Sequence, residues 1–439
     1  MKGKTLSQIH PYAAGIDIGT ERNYVSVDGE TIKIFSSFTE GNIALVKYLQ
    51  ENKVKTVAME STGVLWIPLY DLIEESGIEV YLVNSHYIKN IPSQKSDIKD
   101  ARWLQKTHSF GLLKKSIIPE DDIREMRTYI RMRDNNIDAC SQQIQRMQKA
   151  FELMNLKLHN VISEIAGKSG IRIIEAILSG ERNPDKLVGL CEKSILKTKT
   201  DKVKASLVGN YQKEYLFMLR QSYELYKIFQ EKILECDKEL EMLLKRMNKN
   251  IPEPPSTPDK PARHNQPAIE DLHNNLVKIT DGKNAAILPG LTDKSLLKLI
   301  AEVGRDLSIW ETEKDFVSWL GLAPRTAQSG KRKWRLKSRI TTHAGQIFRE
   351  SAMSIANSKH IALKGFYHRI KSKHGAKVAI KATARKLAVL FYRFMTKGLD
   401  YVEKGLNAYN EQYKKTTLRI LNKKAKNLGY ILLPVEEIA

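Results

Sequence analysis

Hydrophobic periodicity changes once along this 439-residue chain, near residue 121, and the change separates what can fold before it from what can fold after it. Ahead of it, short apolar runs alternate with helix-like stretches. Ala14-Gly-Ile-Asp-Ile-Gly-Thr, Asn23 to Val27 and Thr31 to Phe35 read as strands, the last two joined through the turn dipeptide Asp28-Gly29. Ile43 to Leu49 is helical, Val54 to Met59 is a strand ending at Glu60, Leu69 to Glu75 is a helix stopped by Gly77, and Glu79 to Val83 is a further strand. The pattern predicts an α/β domain with a mixed sheet over residues 1–121. Beyond it, Ile137, Cys140, Ile144, Met147, Phe151, Met154 and Leu158 step by three and four, and Tyr226, Phe229, Ile233, Cys236, Leu240, Leu243 and Met247 repeat the step. Two such heptad seams predict a long helical, coiled-coil and dimerisation region over 122–250, although the spacing alone allows pairing either within the chain or with another protomer.

Composition narrows the partner. A hydrophobic share of 42% with 28% charged residues is globular, which excludes wholesale disorder, collagen-like repetition and a membrane bundle. Lys and Arg number 72 against 50 acids, a net charge of +22 that points to a polyanion, most often nucleic acid. From Gly321 to Asp400 there are 19 Lys and Arg and two acids, so one segment carries most of the excess. Cys140, Cys191 and Cys236 are too few and scattered for a disulfide framework or zinc cluster, and Cys140 and Cys236 fall on seam positions where a thiol fills an apolar hole. The first residues lack the apolar core of a signal peptide, and no apolar run reaches the ~18 residues of a membrane span. The expected setting is the cytoplasm, with no membrane partner.

Between the seams, glycine turns bracket a short helical subdomain containing Gly167-Lys168-Ser169. A phosphate-loop reading fails there, because the upstream glycine and the preceding strand are missing. Six prolines between Pro252 and Pro267 predict an exposed linker over 251–275. Residues 276–400 follow as a mainly α-helical basic domain, in which Ile287-Leu-Pro-Gly-Leu-Thr before a helical run has the shape of a helix-hairpin-helix. Helices are expected at Ala344 to Ala356 and Val378 to Phe394, and 401–439 form a basic helical tail.

Chemistry concentrates in four acids. Asp17 interrupts an apolar strand and Glu60 ends another; burying either unpaired would cost several kcal/mol, so each calls for a metal or a strong partner. Asp97 and Asp100, three apart at the start of a predicted helix, share a face, although a helix cap explains such a pair equally well on its own. Two strand acids and two helix acids match the needs of two-metal phosphoryl chemistry, since Mg²⁺ takes oxygen ligands. The Asp-Ile-Gly-Thr segment also suits the phosphate loop of actin-like sugar kinases, but nothing like that fold's adenosine loop follows.

The order Asp17, Glu60, Asp97, Asp100 resembles the RuvC-like branch of RNase H-like nucleases, and the chain from about Gly15 to Gly398 resembles the insertion-sequence-110 family of DEDD transposases, RNA-guided recombinases. The likeness runs through Lys95-Ser-Asp-Ile-Lys-Asp-Ala, Gly180-Glu-Arg-Asn-Pro, Leu288-Pro-Gly-Leu and Gly321-Leu-Ala-Pro-Arg-Thr-Ala-Gln-Ser-Gly. What the resemblance implies is recombination of donor and target DNA through a phosphoserine intermediate, with Mg²⁺ (or Mn²⁺) on Asp17, Glu60, Asp97 and Asp100. It also implies a prokaryotic cytoplasm, with the protein at the nucleoid, a guide RNA, and a homo-oligomer, dimer or tetramer, in which one protomer's carboxylates meet another's serine. The matching serine is Ser329. It precedes Lys331, Arg332, Lys333, Arg335, Lys337 and Arg339, whose every-second-residue cations would sit on one face of a phosphate-gripping strand. Ser338 is a rival without a following glycine, while His343 and His374 are candidates for proton transfer or phosphate contact.

The leading expectation is therefore an insertion-sequence recombinase. Its rivals are a RuvC-like, metal-dependent nuclease that hydrolyses DNA junctions without Ser329, and a non-enzymatic nucleic-acid-binding regulator whose acids are structural.

Overall fold

A computed structural model describes residues 7–84, 97–254, 265–336, 340–358 and 361–433, with backbone placement alone at residues 97–98, 335, 361–362, 399–410 and 412–413. The chain forms two compact units, Met1–Ile118 and Pro119–Ala439.

In the first unit, β1 (Ala13–Ile18), β2 (Arg22–Ser26) and β3 (Lys33–Ser36) form an antiparallel meander. Helix α1 (Thr39–Glu51) leads to β4 (Thr56–Glu60), and α2 (Trp66–Glu75) to β5 (Glu79–Val83); these two strands run parallel to β1, giving the order β3-β2-β1-β4-β5. The mixed sheet expected from the alternating runs is present. Strand residues alternate between faces. Ala14, Ile16 and Ile18 with Val57, Met59, Val80 and Leu82 build one core with Leu45 and Leu49 of α1 and Leu69 and Ile73 of α2. The opposite face, carrying Gly15 and Asp17, is crossed by α3 (Asp97–Ser109).

The second unit is helical. Its two longest early helices, α4 (Asp121–Leu153) and a later Lys213–Met247 helix, run antiparallel. Asp122 and Glu125 meet Arg246, Arg133 meets Asp237, and Cys140 lies beside Tyr226 and Gln230. Of the two pairings the seams allowed, the chain takes the internal one: Ile233, Cys236, Leu240 and Leu243 are buried in it. The periodicity did not reveal that a charge pair interrupts the seam. Arg133 and Asp237, 4% and 2% exposed, stand 2.5 Å apart, and Asp237 also accepts from the Ala268 amide at 3.0 Å.

Four short helices separate the long pair: α5 (Leu158–Val161), α6 (Lys168–Leu178), α7 (Pro184–Val188) and α8 (Lys193–Ser206); the Lys213–Met247 helix is then α9. Ile173, Ile174, Ile177, Leu187, Val203 and Leu207 pack here on Phe151, Met154 and Leu219. Gly180-Glu-Arg-Asn-Pro is a capping device: Arg182 donates to the Ile177 carbonyl at the end of α6, and the Asn183 side chain caps α7. Burial pushes all three thiols above the usual cysteine range, as suits apolar filler.

The proline-rich stretch is not an exposed linker throughout. The Asn265 carbonyl accepts from Arg133, Pro267 and Ile269 are buried, and α10 (Leu272–Ile279) already begins inside it. The expected turn at Pro289-Gly290 leads into α11 (Asp293–Val303), whose start carries a Thr292–Ser295 capping box. Gly290 has φ of +79°, and a Cβ there would come 2.8 Å from the Ser351 carbonyl, so this glycine serves a close helix contact. Then come α12 (Glu313–Trp319), α13 (His343–Ile355), α14 (Ile361–His374), α15 (Ala376–Lys397) and α16 (Leu399–Asn427), around a core containing Phe316, Phe348 and Phe391. Arg127 of α4 caps the end of α11 by donating to the Ala301 and Glu302 carbonyls at 2.8 and 3.0 Å, and Arg131 grips the Glu302 carboxylate with two bonds of 3.0 Å. Among the described residues no helix is long and apolar enough to cross a membrane.

Candidate active site

Asp17 and Glu60 are brought together by the parallel register of β1 and β4. Ile16 pairs with Met59, so one residue further on the two chains place Asp17 and Glu60 side by side, both partly buried. Asp17 shares its face with Ala13 and Gly15, the face that α3 crosses. A Cβ on Gly15 would lie 2.3 Å from the Gln105 amide nitrogen and 2.4 Å from the Ala101 carbonyl oxygen. Strand and helix backbones therefore touch directly, which a glycine alone permits.

The direction of α3 follows from its bonds. Gln105 Nε2 donates to the carbonyls of Ala13 (3.2 Å) and Val27 (3.3 Å). The His108 ring lies 2.6 Å from Thr56 Oγ1, and the Ser109 carbonyl accepts from the Ile9 and His10 amides. The end of α3 is thus fixed at the beginnings of β1 and β4, and its first turn lies at their ends, beside Asp17 and Glu60. Asp97 opens that turn and Asp100, partly buried, follows one turn later. Two strands and one antiparallel helix bring four acidic positions from three separate stretches of sequence to one end of one sheet face.

This donor set is all hard oxygen, suited to Mg²⁺ or Mn²⁺ rather than to a soft metal. Among the described residues no ready cage of three or more His, Cys, Asp or Glu is formed, and the Asp97 side chain lies outside them. A Mg²⁺ site needs no such cage, because one or two carboxylates complete it with water and substrate phosphate, and the adjacent Asp17 and Glu60 fit that requirement.

At the other end of α3 from the acids, His108 is fully buried, stacked on His10 (ring centroids 4.8 Å) and tilted against Tyr81 (4.6 Å). Burial, and secondarily the His10 ring, lower its pKa from 6.5 to about 4, so it sits neutral, and among the described residues its Nδ1 has no hydrogen-bond partner. Sequence reading passed over Gln105 and His108. Their one signal was Gly15, a small residue inside a strand, which marks a close approach by another backbone.

Ser329 occupies a different setting. Strands β6 (Thr326–Ser329) and β7 (Arg332–Arg335) form a hairpin closed by Gly330-Lys331, with Gly330 at the positive φ, +56°, that a type II′ turn takes at its first central position. The hairpin is rooted where the Leu336 amide donates to the Arg325 carbonyl and the Thr342 amide to the Leu320 carbonyl. Ser329 is exposed and pairs across the ladder with Arg332, on the face shared by Ala327 and Trp334; Thr326, Gln328 and Lys333 take the other. The alternation expected of the cations is therefore partly corrected. Lys333 lies on the face away from the serine, Lys331 lies in the turn, and the out-of-phase Arg332 stands opposite the serine, while the Arg335 side chain lies outside the described part. Lys337, Ser338 and Arg339 lie outside the described residues. His343 is exposed at the start of α13 and His374 at the end of α14.

Two family models match the chain. One, described as a transposase of the DEDD IS110 type, covers residues 14–155; the other, described as "Transposase IS116/IS110/IS902 family", covers 283–368. The first spans all four acids and the second spans Gly290, Ser329 and the hairpin. No curated protein matches the chain. Two models of one family, in chain order and together covering more than half of the 439 residues, place this chain in the IS110 family of insertion-sequence transposases, enzymes that act on DNA.

Proposed function

We propose that this transposase is a RuvC-like, guide-RNA-directed recombinase that cleaves and exchanges DNA strands through a phosphoserine on Ser329. The observation that carries the reading is the convergence of Asp17, Glu60 and the first turn of α3 on one end of the sheet, a pattern for which a helix cap at Asp97 gives no reason. DEDD transposases generally use divalent metal ions. Asp17, Glu60, Asp97 and Asp100 would hold Mg²⁺, which when bound neutralises phosphate charge and lowers the pKa of a coordinated oxygen.

Ser329 Oγ loses its proton and bonds to phosphorus as the bond from phosphorus to a deoxyribose oxygen breaks; that oxygen takes up a proton. Attack by a deoxyribose hydroxyl of the exchanging strand reverses both changes and frees the serine, so no bond energy is lost to water. Arg332, across the ladder from Ser329, is placed to neutralise a non-bridging phosphate oxygen, and Lys331 and Lys333 extend the contact along the backbone. Self-association rests on the resemblance and not on the heptad seams, which are spent within the chain.

The test incubates wild type, Ser329→Ala and Ser338→Ala proteins with end-labelled donor DNA, the guide RNA transcribed beside the element, and Mg²⁺, then denatures and follows label travelling with protein. Label on wild type and Ser338→Ala but not on Ser329→Ala is expected. Cleavage without adduct in wild type would instead support the water-using junction nuclease, and adduct on Ser329→Ala would move the nucleophile elsewhere.

A further inference from the structure

The hairpin of α14 and α15 is used by neither half of that chemistry, yet its charge is the most one-sided in the molecule. Between Glu350 and Asp400 the sequence contains no acidic residue, while Ile361 to Lys397 carries ten Lys and Arg. Elsewhere in this unit several cations are matched by acids, as Arg131 is by Glu302, Lys204 by Asp185 and Arg246 by Asp122 and Glu125. Here the acidic partners that would neutralise a helix face at three- or four-residue spacing are missing. Toward the base of the hairpin the cations serve packing: Lys386 and Arg369 lie over the Phe366 ring at 4.5 and 5.6 Å, and Arg393 reaches Glu313.

The tip differs. Helix α14 ends at His374, Gly375 with φ of +81° reverses the chain, and α15 begins at Ala376. Every residue from Lys371 to Lys377 is exposed, and Lys371, Lys373 and Lys377 make no ion pair among the described residues. Leu363, Tyr367, Ala379 and Leu387 are buried below, so the turn is held outward by a packed base.

The composition of the turn, Lys-Ser-Lys-His-Gly-Ala-Lys, selects the polyanion. An interfacial lipid contact needs apolar anchors, and the tip has none. Binding of single strands needs flat rings on which bases stack, and its one ring is an imidazole. Of the side chains that read base edges in the major groove, the planar, bidentate Arg, Asn and Gln are all absent from these seven residues, and an ammonium acts chiefly as a point charge on phosphate. What remains is short, charged and sequence-blind. We propose that Lys371, Lys373 and Lys377 grip the phosphodiester backbone of duplex DNA, a positioning contact separate from the Ser329 hairpin. The proposal rests on the chain's assignment as a DNA-acting transposase and adds the surface by which duplex DNA is held.

The test measures binding of the full chain to a fluorescent 30-base-pair duplex of arbitrary sequence between about 50 and 300 mM KCl. Each lost phosphate contact on a duplex lowers the log–log salt slope by about 0.9, so K371Q/K373Q/K377Q should lose about two to three units. Lys373→Gln alone should lose about one, and the triple Lys→Arg protein none. All three should melt like wild type, because the tip is exposed. An unchanged slope in a triple Gln variant that melts normally overturns the proposal, as does a loss confined to duplex RNA or to single strands. If that variant keeps its slope while Arg332→Gln/Lys333→Gln loses some, this contact alone fails. If wild type binds no duplex DNA, the assignment beneath it fails as well.

Discussion

The acids and the serine are built in opposite ways. Asp17 and Glu60 stand on adjacent strands inside a sheet, and the helix bearing Asp97 and Asp100 is seated backbone to backbone on one of those strands. Ser329 stands at the end of a four-residue strand, exposed, beside a turn. Under the proposed mechanism, the difference follows from what each would do. Ligands sharing a cation need their relative positions fixed before substrate arrives, because small displacements weaken catalysis steeply. A nucleophile that becomes covalently joined to a DNA strand has to be reachable by a bulky phosphodiester, and an exposed hairpin offers that access.

The comparison breaks most visibly at the acids themselves. Asp17→Ala or Glu60→Ala should lower strand cleavage by at least about 10³-fold, roughly 4 kcal/mol of barrier, while duplex binding changes little. Cleavage of labelled DNA alongside a binding titration reads both. Normal cleavage by Asp17→Ala would remove the acid end from the chemistry.

Next in size is the seat of the helix. Gly15→Ala forces a methyl group into the backbone of α3, where no rotamer change gives relief, and should destabilise the first unit by about 3 kcal/mol or more. Hydrogen exchange should show β1 and α3 losing protection while α4 and α9 keep theirs. Equal protection in mutant and wild type would mean that the contact is looser than the geometry demands.

A smaller effect is expected from acid. His108 has a folded pKa near 4 against 6.5 unfolded, so the fold favours its neutral form. The stability this leaves intact above pH 6.5 is lost as pH falls from 6.5 toward 4, by at most about 3 kcal/mol. The same exchange measurement across that range should show the loss in the first unit of wild type and a flatter response in His108→Gln. Smallest is Gly330→Ala at the serine's turn, about 1 kcal/mol for a side chain at positive φ, seen as a minor fall in melting temperature with Ser329 still able to form adduct.

Sequence made the sheet legible because its strands are short, apolar and separated by turn residues; even the start of α3 at Asp97 was marked by the acids themselves. The candidate acids were legible for a related reason, since a carboxylate on an apolar strand needs an explanation. What holds them was not. Gln105 and His108 act through contacts nearly a hundred and about fifty residues away in sequence, with Ala13 and Thr56, and no local pattern encodes such pairs. The Ser329 strand misled for a simpler reason: an alternating run of cations does not show where the turn falls, and a turn at Gly330-Lys331 shifts the phase so that Arg332 faces the serine.

The buried Arg133–Asp237 pair has a consequence for how this molecule can change length. A hydrophobic seam alone tolerates a slip of one heptad between antiparallel helices, because leucine meets leucine again about 10 Å further on. A single charged pair inside the seam does not, since any slip leaves two ions buried apart. The pair therefore works as a pin in a sliding rule, setting one spacing between the subdomain of α5 to α8 and the end of α4 that caps α11. Evolution or an engineer could extend this arm by matched heptads beyond the pin, but an insertion in one helix alone would have to bulge.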